Sequence, residues 1–414
     1  MYKTSVRTKI ILIATSFSLP LAVLIYLTVA NINLRVDFAR KELAGTAYLR
    51  PLLALLEQVQ QHQLQTPGDS CVAVTTRARA VLPSLEQAQQ QFGTALEFTP
   101  EGLGKRNRSH LSPASLITQW NAIEATGCSG AAEAYAHLIK DIRESIIHAG
   151  DTSNLILDPD LDSYYLMDAV LIALPQTLAR HLEVLRDSTR PEADKTKFAV
   201  HAAMLKESDL DHVTASLTSA MNEDANFFGV SPTFRPAIEG GMNRYQRAAA
   251  RFVDLTAQTS LGARPTDFEA AGVEAMKAGF DLWKSAAAEL DLLLALRIQD
   301  SVNYRFWALL LAGLTIAATY FLAWTFQQSI TDPLDALTRS LGPGAVLLSE
   351  CVSRIAAAGQ HSNSDDMESQ IICEELNAHA DDMRKAVYQL SIHINGAAAS
   401  HQAEVNTAAS SLQA

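Results

Sequence analysis

These 414 residues lack any basic block: 33 Lys and Arg face 45 Asp and Glu, leaving a net charge of −12. That balance excludes nucleic acid as a partner, because a phosphate backbone calls for a clustered positive surface. Glycine (19) and proline (14) are scarce for the length, and alanine, leucine and glutamine are abundant, which favours long helices over sheets. Enzyme signatures are missing too: there is no H-E-x-x-H, no phosphate-binding glycine loop, no dinucleotide fingerprint and no nucleophile elbow. His379 lacks the following glutamate and proline of a phospho-acceptor, so a solvated helical histidine is expected there. The expectation is a non-enzyme with no cofactor and no metal.

Charge is absent from two long stretches as well. No charged residue lies between Lys9 and Arg35, and Ile10 to Ala30 is almost wholly apolar, the length that spans a bilayer core. A cleaved signal peptide is the competing reading, but its apolar region is normally shorter and ends in small-x-small, which Thr28-Val29-Ala30 matches poorly. The second stretch runs from Phe306 to Phe326, with Tyr304 and Trp307 at one end and Trp324 near the other, as in an interfacial aromatic belt. Lys3, Arg7 and Lys9 crowd the N-terminal tail, which the positive-inside rule retains in the cytoplasm. The expected order is a cytoplasmic tail (1–9), a first span (10–30), an extracytoplasmic helical sensor domain (31–304) and a second span (305–328). A partial HAMP-like segment (329–345) and a cytoplasmic helical segment (346–414) follow, so both termini are expected inside a bacterial inner membrane.

Within the outer segment the fold class is all-α. The first span continues to about His62 through Pro51, where a kink is expected. Helices are predicted at 72–92, 113–125, 129–150, 159–186, 191–222 and 236–259, with 93–112 a loop. Ser112-Pro113 supplies an N-cap and first-turn proline, and Thr266-Asp267-Phe268-Glu269 a capping box for the last helix. That helix continues into the second span, and a helix of roughly sixty residues reaches about 90 Å, which suits an elongated bundle. Past the membrane, Leu376, Ala380, Met383, Val387, Leu390, Ile394, Ala398, Val405, Ala408 and Leu412 step by four and three, a heptad seam that His401 alone interrupts. Homo-oligomeric coiling, most simply a homodimer, is the natural reading; an amphipathic helix packing on its own chain is the alternative.

Cys71 and Cys128 sit outside, each in a turn beside a helix start, and can pair in an oxidising compartment or remain two buried thiols. In Asn154 to Asp168, Asp158 reads as an N-cap with Pro159 opening the helix, and Asp160 and Asp162 complement its dipole. Asp168 stands among Leu166, Met167, Val170 and Leu171, so it needs a partner, which a tyrosine or an arginine on another helix would supply; Tyr164 and Arg180 are further polar members of its own helix. Structural pairing and a place in a ligand pocket both fit. An anionic ligand would want arginine forks and aromatic hydroxyls in an apolar cleft, so the binding candidates are Tyr48, Arg50, Asn154, Tyr164, Asp168, Arg180, Arg244 and Trp283, with Trp120 and Tyr245 beside them.

Two spans, a long helical outer segment and then Ile330-Thr331-Asp332-Pro333-Leu334 resemble methyl-accepting chemotaxis proteins and related two-span bacterial sensors, in which an I-T-x-P-L stretch opens the HAMP relay. Phe38 to Pro51, Ser153 to Asp168 and Glu289 to Ile298 look like stretches of those outer domains. The resemblance implies one or two stacked four-helix bundles, as in the helical bimodular kind that binds small organic acids. It covers residues 1 to about 341; past Leu341 the second HAMP helix is not recognisable, and the kinase-control hairpin is absent before Ala414. Expected partners are therefore a small-molecule ligand or a periplasmic binding protein, membrane lipid, a second copy of the chain and other chemoreceptors. The competing function is a truncated receptor-like adaptor that assembles with full-length receptors.

Overall fold

The structure is a computed structural model and describes residues 6–65, 68–189, 194–262 and 265–326, with only scattered positions beyond. The expected HAMP-like segment and C-terminal coiled coil lie outside the described residues. Among the described residues every regular element is helical and none is a strand. The chain divides into two units, Val29–Phe306 and, separately, Met1–Thr28 with Trp307–Ala414.

Two helices exceed all others in length: α1 (Val6–Gln63) and α11 (Phe268–Phe326). α1 runs through Pro51 as one unbroken helix. Each carries a stretch long and apolar enough to cross a membrane, and those stretches stay almost wholly uncovered. Leu24 and Leu27, and likewise Trp307, Leu311, Leu314 and Phe321, are open to the surroundings. A core helix of the same composition would hide these side chains, because contiguous apolar surface in water is unfavourable.

Inside Val29–Phe306, α2 (Asp69–Phe92) folds back along α1, fixed by Thr75 at His62 and by Gln89 at Tyr48. Residues 93–112, expected as a loop, contain the short helix α3 (Pro100–Lys105), where the Thr99 hydroxyl accepts the Gly102 N–H and Pro100 takes the first position. α4 (Pro113–Ala125) opens as expected, with the Ser112 hydroxyl accepting the Ser115 N–H. It packs on α2 and on α5 (Ala132–Ser153). α5 ends at Asn154, whose φ of 73° is the left-handed stop that asparagine tolerates.

A second set of helices follows. α6 (Leu161–Asp168) passes through a π-helical turn at Ala169–Ala173 into α7 (Leu174–Asp187), and α8 (Lys195–Ala203) passes through another at Met204–Leu210 into α9 (Asp211–Glu223). The first π turn has a cause in sequence. Pro175 has no N–H, and in an α-helix its ring would meet the Leu171 carbonyl one turn back. The ladder widens instead, with the Leu174 N–H bonded to the Ala169 carbonyl. α6 packs on α9, and α8 on α10 (Phe234–Ser260). α11 closes this set: Gly279 meets Leu178 of α7, and Gly241 of α10 meets Leu282.

The two sets run alongside each other, not end to end as a stacked pair would. α5 touches α7 and the first π turn, while Glu57 and Arg50 of α1 pair with Lys284 and Asp291 on the stretch of α11 that faces α10. One continuous apolar core results, from Tyr48, Leu52 and Trp120 through Ile146 and Leu174 to Phe252 and Trp283. At about 25 cal/mol per Å² of apolar area, that burial is the main term opposing chain entropy.

Candidate functional site

At the foot of this unit α1 and α11 meet the turn that precedes α6. Arg297 sits on the apolar seam of α11 below Leu290, Leu293 and Leu294, and it is only 7% exposed. Its guanidinium donates from Nη1 to Glu42 of α1 at 2.8 Å and from Nη2 to Asp158 at 2.5 Å and Ser163 at 2.6 Å. Nε lies 2.5 Å from Asp160. One cation therefore joins three segments far apart in sequence.

Three carboxylates around one guanidinium leave an excess of negative charge in a dry place, and burial favours the neutral form. Desolvation, reinforced by Asp158, pushes Glu42 up to about 8. Burial likewise raises Asp158, although Arg297 opposes it, and lifts Asp162 to about 6. Arg297 itself is held charged above its ordinary value, the pull of Asp158, Glu42 and Asp160 outweighing its own desolvation. The site is thus a clamp between two long helices in which Glu42 keeps its proton at neutral pH. Beside it opens a cavity of about 690 Å³ whose walls include Leu34, Phe38, Leu157, Phe228, Asp160 and Arg297.

The reading of Asp158 as the cap of a helix opening at Pro159 is corrected here. α6 starts at Leu161, and Asp158 turns its carboxylate to the Asp160 N–H and to Arg297. The buried cation outcompetes a helix end for that charge.

A second polar group lies higher, where α6 and α7 pack against α9 and the second π turn. Asp168 accepts from His212 Nε2 at 2.8 Å and Ser216 Oγ at 2.6 Å, both on α9; the partners lie on another helix, as expected, but are a histidine and a serine in place of a tyrosine or an arginine. Arg180 donates from Nε to Asp209 at 2.6 Å and from Nη1 to the Met204 sulfur at 3.2 Å. Trp283 donates its indole N–H to the Val170 carbonyl at 2.8 Å. That carbonyl faces Pro175 at the position a π-helical donor would take, so the indole supplies what proline cannot. Burial holds His181 neutral, lowered to about 4, and pushes the Tyr245 hydroxyl upward.

The remaining candidates are scattered. Tyr48 is fully buried, stacked on Phe98 at 4.2 Å and bonded to Gln89 Oε1 at 2.8 Å, and burial pushes its hydroxyl upward. Arg50 points outward to Asp291, and Tyr164 is exposed beside Tyr165. Asn154 serves as the backbone stop of α5. Arg244 lines an exposed groove with Arg247, Arg251 and Lys277. Asp168, Arg180 and Trp283 thus share the π-turn region, and the other five do not join them. Glu42, Arg297, Asp209 and His212 were missed; the available signal was a single charge stranded on an apolar seam, as in Leu293-Leu294-Ala295-Leu296-Arg297.

Cys71 and Cys128 are bonded, with Cα atoms 6.0 Å apart. His62, which approaches them, is buried between Tyr135 and Thr75, and desolvation lowers it. Two further groups of metal-ligating side chains converge, His110–Asp141–Glu144 and Glu183–Asp187–His201. Protein cations already engage both: Lys140 lies 3.7 Å from Glu144, and Lys197 lies 2.5 Å from Asp187. No family model, curated protein or solved structure matches the chain.

Proposed function

We propose that the chain is a two-span membrane receptor whose Val29–Phe306 unit, built as paired helical bundles outside the membrane, registers a small solute such as an organic acid, or a periplasmic binding protein. The response then passes inward through α1 and α11. The observation that carries this reading is the Arg297 clamp. It ties Glu42 on the helix leaving the apolar stretch to the helix returning to it, and it includes the Asp158–Ser163 turn that leads into α6. A solute that favours one arrangement of α6 over another changes that tie, and a switch needs only a difference in affinity between two states. Arg305 on α11 reaches Asn33 on α1 at 2.7 Å, so the coupling continues toward the apolar stretches.

Two measurements test this. Alkaline phosphatase fused at residue 200 should be active and a fusion at the C-terminus inactive; the reverse pattern ends the receptor reading. Full-length protein in nanodiscs should show a thermal midpoint raised by some class of solutes. The chemoreceptor-like sequence features also support a second reading, a truncated adaptor that joins full-length receptors. A flat solute screen together with co-purification of such receptors would favour it.

A further inference from the structure

Asp141, on the buried face of α5 with Leu138 and Ile142, is 1% exposed. Among the described residues no lysine or arginine comes within ion-pair distance of it. Its oxygen Oδ2 accepts from Gln119 Nε2 of α4 at 2.8 Å and lies 3.3 Å from His137 Nδ1. Gln119 Oε1 in turn holds His137 Nδ1 at 3.1 Å. The other oxygen, Oδ1, takes no hydrogen bond among the described residues, and it lies 4.0 Å from His110 Nε2. His110 belongs to the single turn Ser109–Leu111 ahead of α4, and its Nε2 is also 3.1 Å from Glu144 Oε2 of α5. One donor atom from each of His110, Asp141 and Glu144 thus falls within 4.8 Å of the other two.

A carboxylate taken out of water needs a cation beside it or a metal. An amide and imidazoles offer hydrogen bonds, not a permanent charge. Metal bonds of about 2.0–2.2 Å set neighbouring ligand atoms roughly 3–3.5 Å apart, and the spacings to His110, 3.1 and 4.0 Å, stand close to that. Gln119 and His137 fix Asp141 by its second oxygen, the outer support that a ligating carboxylate requires. Lys140 reaches only Oε1 of Glu144, at 3.7 Å and from a side chain that is 70% exposed, and such a surface pair yields readily. We infer that His110 Nε2, Asp141 Oδ1 and Glu144 Oε2 hold a divalent transition cation of the zinc type, which the imidazole favours over the oxygen-seeking calcium and magnesium. With the metal bound, Nε2 carries the lone pair and the ring proton sits on Nδ1; the remaining positions take water. The cation supplies the charge that Asp141 lacks and fastens the turn leading into α4 to α5. This site and the receptor reading do not depend on each other.

The test uses the full chain in nanodiscs, free of any histidine tag and stripped with EDTA, titrated calorimetrically with zinc, manganese and calcium chlorides. Zinc should bind most tightly and calcium least, and zinc should raise the thermal midpoint. His110→Gln changes a half-exposed side chain, so the fold should persist, and zinc should then bind tenfold or more weakly. Glu144→Gln should weaken zinc in the same direction. His201→Gln, in the separate Glu183–Asp187–His201 group, should leave the zinc Kd unchanged. The site is overturned if the zinc Kd survives His110→Gln, if it is lost with His201→Gln instead, or if calcium binds as tightly as zinc. A midpoint that His110→Gln lowers equally with and without zinc marks a structural hydrogen bond to Glu144 and overturns it as well. None of these outcomes touches the fusion test of the receptor reading.

Discussion

Replacing Arg297 by leucine strands Glu42, Asp158 and Asp160 without their shared cation, and breaking a buried pair from one side costs on the order of 3–5 kcal/mol. Urea denaturation of the variant at pH 7 should show a loss of that order; a loss below 1 kcal/mol by the same estimate would mean the clamp is loose. Glu42→Gln should behave differently, because Glu42 keeps its proton in the fold up to about pH 8 while the unfolded chain releases it near 4.5. Between those values the folded state binds a proton that the unfolded state has lost. Stability from this group is therefore highest at low pH and declines as pH rises toward 8, by at most about 1.4 kcal/mol per pH unit. The lowered histidines His62, His148 and His181 act only below 6.5, and Asp162 acts below about 6. Denaturation midpoints of the wild type should fall from pH 6.5 to 8, and those of Glu42→Gln should fall less; equal slopes would show that Glu42 is ionised in the fold. Trp283→Phe keeps the ring and removes the donor to the Val170 carbonyl, which should cost about 1–3 kcal/mol in the same assay.

Helix contacts depend on close approach at a few points. A β-carbon at Gly45 of α1 would lie 2.3 Å from the Ser153 hydroxyl oxygen and 2.4 Å from its Cβ on α5. Gly45→Ala must therefore push α1 and α5 apart, at a cost of about 1–3 kcal/mol visible as a lowered melting temperature. An unchanged melting temperature would mean the interface yields freely. The elements themselves were largely legible in sequence: the Ser112-Pro113 start and the span of α10 follow from local chemistry, whereas the left-handed stop at Asn154, a residue expected at a ligand, was not read. Nor were the π turns. The consequence of Pro175 depends on whether the helix breaks, kinks or widens, and that choice belongs to Trp283, which satisfies the freed carbonyl of Val170 from 113 residues away.

Across the whole of Val29–Phe306, the Cys71–Cys128 bridge closes a loop of 57 residues and holds the start of α2 to the end of α4. In the chain-entropy account a loop of that size is worth about 4 kcal/mol. Cys71→Ser, or reduction, should lower the unfolding midpoint accordingly, and an oxidised sample indistinguishable from a reduced one would show that the bond is not formed. At this scale sequence determined the helical class and the two uncovered apolar stretches, because both rest on local composition and on periodicity along one helix. It did not determine which charges meet. A lone Glu42 or Arg297 on an apolar seam announces burial, but its partner lies 255 positions off, and only the packing of α1 against α11 brings them to 2.8 Å. The same holds for the side-by-side arrangement of the two helix sets. Partner choice among buried charges is set by the assembled core, where the loss of water makes each pairing decisive.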